Sequence, residues 1–306
     1  MMIWVWVWGK TLWLLLFHRM VRNELALWLQ NPFYKIVSDI INSPTNPAVK
    51  ELVKLRESPR RRRERQCFVV EGAQDLQALI DAGRKVLEIY FNENLVTHSQ
   101  ADTYFLKWRE EHSFSMRELG KEALLKASYR KTSDGVIGVV QAWEMDILGY
   151  EVEPMDGPVL IFDEIEKPGN LGAILRTSEA LGGGLVLLSD PKVDFFNPNV
   201  IRSSRGLMGK SEVKSGSKSE IYNWLKKQGL PCVATSSKAS DFSHTFLYER
   251  KMALLFGNEH QGLGEYWKQK VDRWVSLKML GCASSLNLNV SVGCILSDYN
   301  RSVGRI

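Results

Sequence analysis

Blocks of apolar residues separated by polar turns predict an α/β protein. The apolar run Leu254-Leu255-Phe256 ends in Gly257-Asn258-Glu259-His260-Gln261-Gly262-Leu263, the pattern of a buried strand that runs into a glycine-rich turn. Later, Met279-Leu280-Gly281 precedes Ser285-Leu286-Asn287-Leu288-Asn289-Val290-Ser291-Val292, a Ser/Asn-rich loop that feeds an apolar run over 290–296. Upstream, residues 158–163 form a short apolar run and read as another buried strand. The turn Lys167-Pro168-Gly169-Asn170 follows it. A helix continues over 173–181, three glycines at 182–184 stop it, and 185–188 is the next strand. Strand, helix and strand with short connections make a parallel unit with a right-handed crossover. Polar loops that follow buried strands are where an open α/β sheet holds its ligand.

The first half reads as a smaller α/β domain. Ser43-Pro44-Thr45-Asn46-Pro47 is a turn cluster that caps a helix starting near Ala48, with Val49, Leu52, Val53 and Leu55 on its apolar side. Strands are expected at 67–70, 86–91 and 135–140, with helices at 75–82 and 121–126, a βαβ alternation. Residues 144–156 are acidic and contain Gly149 and Pro154, the composition of a linker. The expected organisation is an extension over 1–35, a small domain over 36–143, a linker over 144–157 and a larger α/β domain over 158–306.

Composition narrows the class. The chain has 306 residues, 44% hydrophobic and 25% charged, which is globular rather than disordered. A formal net charge of +5 allows a polyanionic partner without demanding one. Cys67, Cys232, Cys282 and Cys294 are scattered, with no CxxC pair and no neighbouring His. That excludes a sequence-evident zinc site and a disulfide framework, and suits a reducing cytoplasm. Residues 1–17 hold four Trp and many Leu and Val, interrupted by Lys10. A bilayer-spanning helix needs about 20 apolar residues, and a signal peptide would show a basic start and a small-residue cleavage site. Three readings remain: a membrane-associating helix, a segment packed on the protein, or residues upstream of an initiator at Met20. The last is favoured because nothing downstream needs a membrane, so no stable membrane partner is expected.

Two basic stretches suit phosphate. Arg60-Arg61-Arg62-Arg63-Glu64-Arg65 is either a solvated loop or a patch whose guanidinium forks contact phosphate oxygens. In Arg202-Ser203-Ser204-Arg205-Gly206-Leu207-Met208-Gly209-Lys210-Ser211, the ending imitates a nucleotide-binding P-loop. The first glycine of that pattern would fall on Ser204 and no strand leads in, which argues against a nucleoside triphosphate site.

Three motifs occur in order: Glu166-Lys167-Pro168-Gly169-Asn170-Leu171-Gly172-Ala173-Ile174-Leu175-Arg176-Thr177, then the 254–263 stretch, then 279–281 with 285–292. Over roughly residues 158–301 the chain thereby resembles the SpoU/TrmH family of SPOUT RNA ribose 2′-O-methyltransferases. The resemblance implies a deep trefoil knot, a homodimer with the knot at its interface, and S-adenosylmethionine as cofactor. It implies cofactor contacts at Gly257, Leu277, Met279 and Leu286, with Ser285 and Asn287 alongside. It implies Arg176 at the reacting centre, with Asn170 and Glu259 orienting it and the ribose. A guanidinium holds its proton too tightly to act as a base, so Arg176 is read as a clamp on phosphate that also stabilises charge developing on oxygen. His260 is a rival base by residue type, although a surface His is the commoner outcome. Arg202 and Arg205, with Arg60, Arg61, Arg62 and Arg63, are the implied RNA contacts.

The first half is similar to the L30e-like RNA-binding domain that precedes many such enzymes, through Asn46-Pro47, Phe68-Val69-Val70-Glu71-Gly72 and Thr132-Ser133-Asp134-Gly135-Val136. That domain tilts the expected substrate towards ribosomal rather than transfer RNA. Two departures stand out. Leu277-Lys278-Met279 replaces the family's Ile-Pro-Met, and the Ser-Leu-Asn-Val-Ser-Val motif carries two extra residues, so either Asn287 or Asn289 fills its asparagine position. The altered motif leaves an alternative, an RNA-binding protein that keeps the fold without turnover.

Overall fold

The computed structural model describes residues 40–306 apart from 97–98, 100, 112–113, 131 and 152–155. The readings of residues 1–17 and of the 1–35 extension therefore lie outside the described residues. Helix α1 (Pro47–Glu57) opens at Asn46, whose side chain accepts a hydrogen bond from the Ala48 amide at 2.9 Å. Ser58 starts α2 (Pro59–Arg65) in the same way, accepting from the Arg61 amide at 3.2 Å. The arginine run is thus a helix and not a loop.

That geometry corrects the expected phosphate patch. Successive helix residues point about 100° apart, so four consecutive arginines cannot share one face. Arg60 pairs with Glu64 at 2.7 Å, and Arg61 forks onto both oxygens of Glu51 at 2.8 Å. Arg63 is exposed. Arg62 points inward and is 2% exposed. Its Nε donates to Asp194 Oδ2 at 2.7 Å, and one terminal nitrogen donates to the Leu55 and Arg56 carbonyls at 2.6 and 2.9 Å. Arg62 therefore cannot contact phosphate in this structure; it joins the two halves of the molecule.

The small domain continues with β1 (Cys67–Glu71), α3 (Ala73–Asp81), β2 (Val86–Phe91), α4 (Glu93–Val96), α5 (Ala101–Glu111), β3 (Ser115–Glu118), α6 (Lys121–Ala127) and β4 (Val136–Gln141). Its sheet runs β1-β4-β2-β3. Strand β4 lies antiparallel between β1 and β2, so the expected βαβ succession from β1 to β2 does not make adjacent parallel strands, whereas β2 and β3 pair in parallel.

The larger domain contains β5 (Val159–Asp163), α7 (Pro168–Ala180), β6 (Val186–Ser189), α8 (Pro198–Ser204), β7 (Val213–Gly216), α9 (Lys218–Gln228), β8 (Cys232–Thr235), β9 (Asp241–Phe242), β10 (Ala253–Phe256), α10 (Glu265–Lys268), β11 (Arg273–Ser276) and α11 (Leu288–Ser302). The strand order is β7-β6-β5-β10-β8-β11-β9, and every pairing is parallel. Strand β10 enters between β5 and β8 with all four residues buried, and Phe256 stacks on Phe162 with ring centroids 5.3 Å apart. The chain leaves β5 towards β6 on one side while β10 lies on the other. Their carboxyl ends thus frame the crevice of an open α/β sheet.

The two domains share one apolar core. Phe68 of β1 stacks on Phe196 at 4.8 Å, and Trp143 meets Phe195 and Phe196 edge-on. Arg84 covers Trp143 at 4.1 Å and donates to the Gly209 carbonyl at 2.9 Å. A Cβ on Gly206 would lie 2.3 Å from the Asp75 carbonyl oxygen, so only glycine lets α3 approach that turn. The segment expected as a linker is docked as well. The Ile147 amide donates to Ser215 at 3.0 Å, and Trp224 Nε1 donates to the Tyr150 carbonyl at 3.0 Å.

Truncating Arg62 to Ala strands Asp194 at this interface and is expected to destabilise the protein by about 3 kcal/mol, whereas Arg63→Ala should change stability by less than about 0.5 kcal/mol; urea unfolding of the two variants measures the contrast. Burial pushes the Asp75 carboxyl, at the same interface, up to about 6 against the opposing pull of Arg130 and Arg205. A raised folded value favours the folded state fully below the ordinary 3.8, an advantage lost as pH rises through about 6. Asp75→Asn should therefore leave stability unchanged in acid and raise it near neutrality by on the order of 1 kcal/mol, read from unfolding curves on both sides of that window.

Candidate active site

Three segments distant in sequence meet at the carboxyl ends of β5 and β10. The first is the start of α7, where Pro168 occupies the first turn and Asn170 follows two residues later. The second is the turn after β10. Asn258 and Gly262 exchange backbone hydrogen bonds at 3.1 and 2.9 Å, and Gly262 has φ +68°. A Cβ on Gly257 would stand 2.4 Å from the Gly262 carbonyl carbon, so the strand can enter this turn only through glycine. The third is the tail after β11, where Asn287 caps α11 by accepting from the Asn289 amide at 3.0 Å.

Hydrogen bonds tie the three together. Asn170 Nδ2 donates to Glu259 Oε1 at 2.7 Å, and Asn287 Nδ2 donates to Asn170 Oδ1 at 3.3 Å. The other Glu259 oxygen, Oε2, is buried and has no hydrogen-bond partner among the described residues. A buried carboxylate oxygen without a partner is unusual, because leaving it unmatched costs about 1–3 kcal/mol. It marks the place where a donor from a ligand belongs.

Asn258 was not singled out as a site residue, yet it holds the turn. Its Nδ2 donates to the Glu164 carbonyl at 3.0 Å, and its Oδ1 accepts from the His260 and Gln261 amides at 2.9 and 3.3 Å. The only signal for it was its place directly after Gly257, a position from which an Asn side chain readily bonds backbone two residues on. Beside it, Lys192 and Lys218 clamp Glu164, whose carboxyl they pull down to about 2. Glu164 has φ +49°, a left-handed conformation that this polar anchoring sustains. Thr177 also escaped the sequence reading. Its hydroxyl donates to Asn289 Oδ1 at 2.7 Å and fastens α7 to α11. The two candidate asparagines thus do different work: Asn287 reaches Asn170, and Asn289 reaches Thr177.

The remaining expected residues fall into two groups. Leu277 and Met279 are half-buried, while Ser285 and Leu286 are exposed on the tail around the Asn170–Glu259–Asn287 cluster. Arg176 is exposed and its guanidinium makes no hydrogen bond or ion pair with any described residue. It stands six residues beyond Asn170 on α7, about 9 Å along the axis, and is not joined to the cluster. Arg202 and Arg205 lie at the end of α8 and are exposed; Arg205 adopts φ +54°. His260 is exposed at the tip of the turn. Among the described residues no group of His, Cys, Asp and Glu could hold a metal ion, and no helix is long and apolar enough to cross a membrane.

The arrangement offers one orphan carboxylate oxygen beside two amide side chains, with the aliphatic Leu286 next to Asn287 on the tail. Such a set suits a ligand with a hydroxyl donor and an apolar body. Comparison with known proteins points the same way. Residues 157–297 match the SpoU rRNA Methylase family, and residues 46–138 match an MRM3-like substrate binding domain. The chain is 28% identical over 273 residues to an uncharacterized tRNA/rRNA methyltransferase of Synechocystis sp., covering 88% of this chain and 96% of that one. It superposes on a crystal structure of an RNA 2′-O ribose methyltransferase with TM-score 0.75 and 30% identity, over 87% of this chain and 99% of the other. It shares the fold of the SpoU methyltransferase AviRb from Streptomyces viridochromogenes, solved in complex with the cofactor AdoMet, with TM-score 0.76 and 22% identity over 84% of this chain and 98% of that chain. With the motif segments drawn to one end of the sheet and nearly the whole length of a 30%-identical relative covered, this chain belongs to the SpoU rRNA methylase family.

Proposed function

We propose that this protein transfers a methyl group from S-adenosylmethionine to a ribose 2′-oxygen of structured RNA, with ribosomal RNA favoured over transfer RNA. The observation that carries the reading is the buried, unpartnered Oε2 of Glu259, held 2.7 Å from Asn170 through its other oxygen. A ribose hydroxyl donating to Oε2 would satisfy that oxygen and be drawn into one orientation. The Asn170 amide prevents the carboxylate from rotating away, and Asn287 in turn fixes Asn170. Holding one reactant in a near-attack geometry supplies several kcal/mol of a displacement barrier.

The residues present fit the cofactor. Gly257 brings bare backbone to the turn after β10, and Leu277, Met279 and Leu286, with Ser285 and Asn287, would supply the aliphatic groups and polar tips suited to an adenosine. When bound, S-adenosylmethionine supplies an electrophilic methyl on sulfur. Arg176, whose guanidinium engages no described residue, is available to grip a phosphate of the substrate strand and to stabilise charge growing on the ribose oxygen. Glu259 accepts the hydroxyl hydrogen bond and takes the 2′-proton onto Oε2 as the oxygen gains its methyl.

Finer features of the family are part of the same proposal. The tail leaves β11, crosses past β8 and β10, and returns to the start of α7; that course supports a trefoil knot around the cofactor loops. Leu280, Leu286 and Val290 stand 91%, 40% and 47% exposed along the tail and α11, which supports a homodimer through this face. The small domain would be the L30e-like RNA-binding module, with Arg63, Arg202 and Arg205 available to phosphate while Arg60 and Arg61 pair with Glu64 and Glu51. Four unpaired thiols support a cytoplasmic setting.

Two variants separate the roles. Glu259→Gln is expected to slow transfer of labelled methyl to protein-free ribosomal RNA by about a hundredfold while calorimetric titration shows unchanged S-adenosylmethionine affinity. Gly257→Ala should abolish cofactor binding itself, because its Cβ displaces the Gly262 turn. If the wild type binds no S-adenosylmethionine and Asn170→Ala and Arg176→Ala change nothing, the chain is an RNA-binding protein that has kept the fold without turnover.

A further inference from the structure

The walls of the cleft between the two domains come from both: Arg56, Glu71, Asp75, Tyr129 and Arg130 from the small domain and Arg202 from the large one. One loop of this cleft is anchored through the backbone of five successive residues. Arg56 donates to the carbonyls of Lys126 at 3.2 Å, Ala127 at 3.0 Å and Ser128 at 2.5 Å. The Glu71 carboxylate accepts from the amides of Tyr129 at 2.6 Å and Arg130 at 3.1 Å. A cation caps the end of α6 and an anion catches the amides that follow, so the loop is fixed although it forms no regular element. What this anchoring holds up is an aromatic ring 50% exposed, Tyr129, next to a guanidinium, Arg130. Arg202 faces them across the cleft, exposed, its guanidinium without a hydrogen bond or ion pair to any described residue.

The acidic groups of the cleft are already engaged. Glu71 is occupied by the two amides, and Asp75 is paired with Arg130 at 3.3 Å and buried against the large domain. The face presented outward is therefore aromatic and cationic. Such a combination, a ring flanked by guanidinium groups, takes a nucleotide of an unpaired strand: the base lies on the ring and the phosphates lie between the forks. The cleft also adjoins the candidate active site. A Cβ on Gly169 would touch Ser203 Oγ at 3.9 Å, and one on Gly172 would meet the Val200 carbonyl oxygen at 2.4 Å, so the start of α7 lies directly on α8. Asn170 follows Gly169 and Arg202 precedes Ser203, which keeps their backbones within roughly 15 Å, the reach of two or three nucleotides.

We propose that this cleft binds an unpaired RNA nucleotide neighbouring the one that is methylated, with Tyr129 stacking on its base and Arg130 and Arg202 holding its phosphates. The inference rests on the reading of the protein as an RNA ribose methyltransferase and adds a second point of grip on the same strand. Two grips a fixed distance apart select a substrate whose target is flanked by unpaired bases, so the cleft acts as a determinant of site choice.

The test uses the full-length protein, protein-free ribosomal RNA in filter binding, and S-adenosylmethionine in calorimetry. Tyr129→Ala and Arg202→Ala should each weaken RNA binding about tenfold, Tyr129→Phe should retain it, and all three should bind S-adenosylmethionine as the wild type does. Lys227→Ala, which removes an exposed charge on α9, should leave RNA affinity within about twofold and so controls for general charge loss. Ultraviolet crosslinking followed by mass spectrometry should recover a nucleotide adduct on Tyr129. Wild-type affinity in both Tyr129→Ala and Arg202→Ala overturns the cleft assignment while leaving the methyltransferase reading intact. A wild type that binds ribosomal RNA tightly but S-adenosylmethionine not at all overturns the methyltransferase reading instead, and Tyr129→Ala then reports on RNA binding alone.

Discussion

Everything at the candidate site depends on β10 lying between β5 and β8. The strand is four residues long, buried on both faces and paired on both edges. An apolar segment with every backbone group matched inside a sheet has no comparable alternative position, since any slip leaves donors or acceptors unmatched. The Phe162–Phe256 stack locks the last pair of residues at the carboxyl ends. From there Gly257 turns the chain at once, so the position of Glu259 is inherited from the sheet and not from a flexible loop. The same holds on the other side, where Asp163 ends β5, the loop begins at Glu164 and the first turn of α7 delivers Asn170 six residues later. The 2.7 Å bond between Asn170 and Glu259 is thus a contact between two strand ends.

This explains which parts of the molecule could be read from the residues. The buried strands at 159–163, 186–189 and 253–256 announce themselves as apolar runs bounded by glycine or polar turns, because both their faces are covered. Strand β3, Ser-Met-Arg-Glu, sits at a sheet edge with one buried residue and carries no such signal. Helix α5 mixes its apolar and charged residues too evenly for a strong one-sided pattern. The arginine run misleads for another reason. Charge repulsion argues for a solvated loop when the residues are taken as a string, but Ser58 and Pro59 start a helix, and the helix distributes the charges to Glu51, Glu64 and Asp194. Partners far away in sequence neutralised what local reasoning could only see as repulsion.

At the site, the family resemblance points to Asn170 and Glu259, yet nothing in the sequence tells how they touch. The doubled asparagine of the tail shows the limit most clearly. Counting from either end of the motif favours a different residue. The structure gives both a partner: Asn287 on Asn170 and Asn289 on Thr177. Two extra residues before the helix are absorbed because α11 starts at Leu288 and carries Asn289 inside its first turn, where its side chain can reach α7. Thr177 was invisible beforehand since a threonine in mid-helix ordinarily bonds its own backbone.

The rigidity of the interdomain contact decides how the two halves can cooperate. A substrate-binding module on a loose tether raises the local concentration of its RNA but cannot measure a distance along it. Here the Arg62–Asp194 pair, the Phe68–Phe196 stack and the close seat of α3 on Gly206 make the small domain an extension of the larger one's core. Burying Arg62 brings a desolvation cost that an apolar side chain would avoid. The pair instead contributes orientation, because a fork of nitrogens on one carboxylate oxygen and two carbonyls tolerates little rotation. With the domains so fixed, the separation between Tyr129 of the small domain and Asn170 of the larger one is a property of the fold, which is what a grip at two points of one strand requires.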